Sequence, residues 1–192
     1  MSQIPRDFDW RQPAGFFPLV MAAAFKPRRF FNQMENRGDL LSPLIFLLMV
    51  HLTTWAGTLV AAVLIQGIPA VMVATGLLQN LLKVFIFAAF FYTVGHHIMR
   101  CPYPLSGFLR IYAYASGIWV LTAIAPFLSL AISMPLTVIL AFYVLFLLFA
   151  GLRDAAKMST PLAAGVLVLS VVGMVLLMYL ITPAQVAGPA GG

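Results

Sequence analysis

The chain has 192 residues, of which 62% are hydrophobic and 8% charged, and carries a formal charge of +6. A water-soluble domain has about 25% charged residues, so this chain has too little polar surface to coat a globule in water. The positive charge does not indicate a nucleic-acid partner. Most of the basic residues precede the first long apolar block or lie in short connections, as in a membrane protein whose cytoplasmic loops are basic.

Residues 1–40 form the only sizeable polar part and are expected to be a cytoplasmic lead. Within it, Phe16 to Phe25 is apolar but about half the roughly 20 residues that a spanning helix needs. Pro27 is suited to open a short helix, because its missing N–H falls where no helical partner exists. In that helix Phe30, Phe31 and Met34 would face lipid, and Arg28, Arg29, Asn32 and Glu35 would stay wet. This is the pattern of an in-plane amphipathic helix on anionic lipid.

Five apolar blocks follow, at about residues 41–66, 70–99, 107–130, 135–152 and 161–181. Gly67-Ile68-Pro69 reads as a tight turn between the first two. The second block would be about 45 Å long as a helix, against a hydrocarbon core of about 30 Å. It must tilt or emerge at its His96-His97 end. Pro126 is a candidate kink in the third block, and Ser133-Met134-Pro135 reads as a turn that opens the fourth. Residues 183–192 are rich in Pro, Gly and Ala and are expected to be a disordered tail.

Lys and Arg set the expected orientation. Arg6, Arg11, Lys26, Arg28, Arg29 and Arg37 precede the first block. Arg100 lies in the second connection with Arg110 just beyond it, and Arg153 and Lys157 lie in the fourth. The first and third connections and the tail have none. This alternation fits an all-α integral membrane bundle of five transmembrane helices, with the N-terminus cytoplasmic and the C-terminus on the opposite side. Lys26, Arg28, Arg29, Arg100, Arg110, Arg153 and Lys157 are the expected contacts to anionic lipid headgroups.

Several sequence elements occur in a familiar order. Lys26-Pro27-Arg28-Arg29-Phe30-Phe31 ends the lead, and Leu41-Ser42-Pro43-Leu44-Ile45-Phe46 opens the first span. The third span carries Phe108-Leu109-Arg110-Ile111-Tyr112-Ala113-Tyr114-Ala115. Gly151-Leu152-Arg153-Asp154-Ala155-Ala156-Lys157 closes the fourth. Across roughly residues 15–182 the chain resembles the Yip domain family, named for proteins that interact with Ypt/Rab GTPases. The resemblance implies a five-helix membrane fold without established chemistry. The chain lacks the Asp-Leu-Tyr-Gly-Pro element of eukaryotic trafficking members. It also has Ala115-Ser116-Gly117-Ile118 where the family often places a proline. The first departure points to a prokaryotic member in a cytoplasmic (inner) membrane; an internal eukaryotic membrane is the alternative.

Lys83 is the residue that most invites a functional reading. It lies near the middle of the second block, too deep for its side chain of about 6 Å to reach either surface. Gly76, Gln79 and Asn80 precede it by seven, four and three residues and share its helical face, which is expected to point into the bundle. The acids Asp7, Asp9, Glu35, Asp39 and Asp154 all lie outside the core of the spans. Lys83, Asn80 and Gln79 are therefore a candidate intramembrane polar site for an anionic or carbonyl group, which His51 and Thr54 on the first span would complete. The alternative is a structural lysine bonded to helix carbonyls, with His51 and Thr54 as interhelical hydrogen-bond partners. Arg110, Tyr114 and Gly117 share a face of the third span, and Ala113 with Gly117 forms a small-residue pair for close helix packing.

No paired acids lie in the spans, no Ser/His/Asp order is visible and no Gly-rich phosphate loop follows a strand. The chain is therefore expected to be no enzyme, and no metal or cofactor is expected. The leading functional expectation is a membrane-embedded organiser or adaptor for other membrane proteins or trafficking, with self-association possible. The alternative is a small oligomeric permease, channel or lipid-handling protein built around Lys83.

Overall fold

The structure is a computed structural model that describes residues 7–35, 38–65 and 69–181. Arg6, Arg37, the Gln66-Gly67-Ile68 stretch of the expected first turn and the 183–192 tail lie outside the described residues.

A short 3₁₀ turn, Pro13–Gly15, leads into α1 (Phe16–Phe25) and α2 (Pro27–Gln33). Then come α3 (Leu41–Leu64), α4 (Ala70–Thr93), α5 (Leu105–Ser116), α6 (Leu130–Asp154) and α7 (Thr160–Ile181). A π-helical turn, Val94–Ile98, extends α4, and a 3₁₀ segment, Gly117–Phe127, extends α5. Five of these units are long and apolar enough to cross a membrane. The protein is thus an all-helical, multi-pass integral membrane protein, and among the described residues there is no strand.

The start of α3 has a physical cause upstream. The Asp39 carboxylate accepts hydrogen bonds from Ser42 N–H at 3.2 Å and Ser42 Oγ at 2.6 Å. An acid here satisfies an orphan amide and meets the positive end of the helix dipole.

The third span extends beyond a regular α-helix of its length. At about 2.0 Å per residue, its 3₁₀ half is longer than an α-helix of the same residues would be. The 3₁₀ segment packs closely on α3. A Cβ added at Gly57 would lie 2.1 Å from the Ala123 carbonyl oxygen, so only glycine permits this approach. Pro126 sits in the last turn of the segment and so ends the span rather than kinking it.

The fourth span differs from expectation. α6 begins at Leu130, so Ser133-Met134-Pro135 is inside the helix and is not a turn. Pro135 was expected to open the helix, yet a proline one turn in is tolerated within the membrane.

The lead also differs. α1 buries Phe16, Leu19, Val20, Ala23 and Ala24, and Phe30 and Phe31 of α2 are 0% and 1% exposed. Phe30 and Phe31 therefore belong to the protein core and do not face lipid; Met34 packs against that core. Arg28, Arg29 and Asn32 are exposed, as the amphipathic pattern requires. The Tyr143 hydroxyl donates to the Ala24 carbonyl, and Lys157 Nζ donates to Asn32 Oδ1 at 2.8 Å. Both contacts tie the lead to α6 and the connection that follows it.

Candidate functional site

Two polar groupings stand out. The first is inside the bundle. Arg110 is fully buried on α5. Its Nε lies 3.2 and 3.3 Å from the two carboxylate oxygens of Asp7, and its Nη2 donates to Asp39. The Tyr114 hydroxyl, one turn deeper, also donates to Asp7 and accepts the Phe8 N–H at 3.1 Å. Phe8 is buried, with its ring 5.4 Å edge-on from that of Phe46. Phe46 in turn meets Tyr114 and Phe16 at 5.0 Å. The sequence explains the convergence: Arg110 and Tyr114 are four residues apart on one helical face, while Asp7 and Asp39 sit at either end of the lead.

This corrects the reading of Arg110 as a lipid-headgroup contact. It is buried and neutralised by the chain's own acids, because α1 and α2 cover the N-terminal end of α5. Asp39 lies before α3. Burial raises its carboxyl pKa, but the Ser42 hydrogen bonds and the Arg110 charge outweigh that and hold it below its ordinary 3.8. Both carboxylates of the cluster thus accept hydrogen bonds from donors of this chain. The arrangement is a strut that pins the N-terminal lead to the third span, and it holds no free base.

The second grouping is outside. Gln79, Asn80 and Lys83 are exposed on α4, beside Leu78 at 72% and Leu82 at 61% exposure. The expectation that this stripe points into the bundle is corrected. Phe87, Phe91 and Val94, further along the same side of α4, pack into the core, so the stripe is exposed because the bundle leaves its stretch of that side uncovered. The structure also does not unite the stripe with Thr54, whose hydroxyl donates to the Val50 carbonyl and to the Trp119 carbonyl of the 3₁₀ segment at 3.1 Å. His51 is half-buried, and its Nε2 has no hydrogen-bond partner among the described residues. Trp55 Nε1 donates to the Val73 carbonyl at 3.1 Å and so joins α3 to α4.

The remaining basic residues divide. Lys26, Arg28, Arg29 and Arg100 are exposed and free to meet headgroups. Arg153 is held 3.2 Å from Asp154, and Lys157, though exposed, is bonded to Asn32. Gly117 receives α1 and α3: a Cβ there would lie 3.3 Å from Val20 Cγ2 and Phe46 Cζ. His96 stacks on Tyr92 at 5.0 Å, Cys101 is buried, and among the described residues no three His, Cys, Asp or Glu side chains gather as a metal site.

A cavity of about 260 Å³ opens between α4, α5, α6 and α7, lined by Phe87, Val144, Leu145 and Leu148 with Tyr112 and Ser116 as its polar members. It does not include Lys83.

Five spans, a lead docked by a buried ion cluster and an exposed polar stripe on α4 define a multi-pass helical membrane protein. Residues 21–182 match the model of the Yip1 domain, and the chain belongs to that family. No curated protein and no solved structure matches it.

Proposed function

We propose that this Yip1-domain protein is a non-enzymatic organiser that holds other membrane proteins through contacts between helices. One observation carries the reading: the deep polar residues Gln79, Asn80 and Lys83 are left exposed by the bundle, while Arg110 inside it is fully paired. Polar groups at mid-membrane depth ordinarily face protein, so an exposed stripe calls for a partner. The N-terminus is assigned to the cytoplasm and the C-terminus to the opposite side, from the alternation of basic and neutral connections. The lead lies at the inner interface. There the exposed Phe17, Met21 and Phe25 of α1 meet acyl chains, and Lys26, Arg28, Arg29 and Arg100 meet anionic headgroups. The membrane is the cytoplasmic membrane of a prokaryote, an assignment that rests on the missing Asp-Leu-Tyr-Gly-Pro element. Native mass spectrometry after gentle extraction tests the organising role. A stoichiometric protein partner supports it, and a monomer carrying lipid alone refutes it.

The cavity beside Tyr112 favours a second reading, lipid handling, because its apolar wall suits an acyl chain. Filling it with Val144→Trp would then displace a co-purifying lipid. Unchanged lipid content would exclude this reading.

A further inference from the structure

We infer that the exposed stretch of α4 around Lys83 is a docking site for a transmembrane helix of another protein, one that carries an aspartate or glutamate at mid-depth. The inference rests on the organising role and names its partner's chemistry. Lys83 is 13 residues from the Ala70 end of α4 and 15 from Ile98. At 1.5 Å per residue the nearer end is about 20 Å away, and its side chain reaches about 6 Å. The headgroup region is therefore beyond its reach. Among the described residues, none bonds to its ammonium or to the side-chain amides of Gln79 and Asn80. In hydrocarbon each such unsatisfied group costs several kcal/mol.

The chain's own acids cannot supply the counter-charge. It has five. Asp7 and Asp39 are engaged with Arg110, Asp154 lies beside Arg153, and Asp9 accepts the Arg11 N–H. Glu35 follows α2 at the inner edge and has interactions of its own. A second copy in the same orientation would bring only another lysine to this depth. Its like charge repels, and no carboxylate accompanies it. A foreign carboxylate would instead accept from the Lys83 ammonium and the flanking amide N–H groups, which are charge-assisted bonds in a medium that strengthens them. Gly76 lies on the same face, and open space surrounds the position of its missing Cβ, so a partner backbone can approach closely there.

The probe is a synthetic Leu/Ala helix of about 20 residues with one central Asp, compared with the same helix carrying Leu. Association with the full chain in phosphatidylcholine vesicles is read by energy transfer. The Asp helix is expected to bind at least about tenfold tighter than the Leu helix, a preference that Lys83→Arg keeps and Lys83→Leu abolishes. Lys83→Leu makes the span more apolar, so failed insertion does not confound the comparison. Equal binding of both helices, binding indifferent to Lys83→Leu, or pairing of copies of this chain through Lys83 would each overturn the inference. In the native membrane, a partner retained equally by the wild type and Lys83→Leu overturns this face and leaves the organising role standing. Absence of any native partner, with the Asp helix still selected in vesicles, supports the face and overturns the organising role.

Discussion

Replacing Arg110 by methionine separates a local strut from a global keystone. The substitution leaves Asp7, whose side chain is 3% exposed, without its cation. Stranding one member of a buried pair costs about 3–5 kcal/mol. Asp39 is 40% exposed and hydrated, so its share is about 0–1 kcal/mol. The lead can escape this cost by leaving. Release of Asp7 and Phe8 forfeits about 1.5–3 kcal/mol for burying Phe8, and about 1 kcal/mol for its bond to Tyr114. It also regains about 1–2 kcal/mol of backbone entropy per freed residue. Detachment is therefore cheaper than an unpaired buried carboxylate. The chain from Phe16 onward stays docked, because α1 keeps its own buried face.

Hydrogen–deuterium exchange of the protein in lipid nanodiscs reads this directly. The Phe8 amide is protected in the wild type by the Tyr114 hydroxyl. With about 3 kcal/mol of docking lost, exchange in residues 7–12 accelerates roughly 100-fold, while the α3 and α6 peptides keep their protection. An unchanged rate in residues 7–12 would show that the ion cluster does not hold the lead. Equal acceleration throughout the bundle would show that Arg110 supports the whole fold.

Three further outcomes follow from the packing and electrostatics. Gly57→Ala drives a methyl into the Ala123 carbonyl and should cost at least about 1–3 kcal/mol, whereas Gly76→Ala meets open space and should stabilise by about 0.5–1 kcal/mol in a thermal melt of the isolated protein. Thr54→Val removes the bond from α3 to the Trp119 carbonyl and should cost about 0.6 kcal/mol in a denaturant titration in micelles. Asp39 has a depressed carboxyl pKa, so its contribution is complete above about pH 4 and fades as the pH falls through its folded value. Near neutral pH, Asp39→Asn should therefore melt lower by at most about 1 kcal/mol, a gap that closes only below about pH 4; a gap that closed near pH 6 would refute the assignment.

Hydropathy made the five spans legible. The first begins at Leu41 as read, and the last begins at Thr160, one residue from expectation. The blocks are long, and a bilayer demands that length. The start of α6 was less legible because the rule placing proline at a helix start did not apply to Pro135 here. The lead was misread for a different reason. Phe30 and Phe31 are equally apolar whether they meet acyl chains or the rings of Tyr114 and Phe46, and sequence does not tell lipid from protein core.

Arg110 and Lys83 show the same limit in the direction of a polar stripe. Helical spacing placed Arg110 with Tyr114 and Lys83 with Asn80, and the structure keeps both pairs on α5 and α4 respectively. Spacing says nothing of which way a face turns. The deciding quantity is the supply of carboxylates, and it was legible: two of the five acids, Asp7 and Asp39, flank the lead at the level of the N-terminal end of α5, and none lies near the depth of Lys83. A buried cation is tolerable where its own chain brings acids to it, so Arg110 turns inward. Lys83 has no such acid at its depth, and the bundle leaves its stretch of α4 uncovered although Phe87 and Phe91 on the same side are packed. Which polar stripe is enclosed thus follows from where the acids can reach, which periodicity alone does not encode.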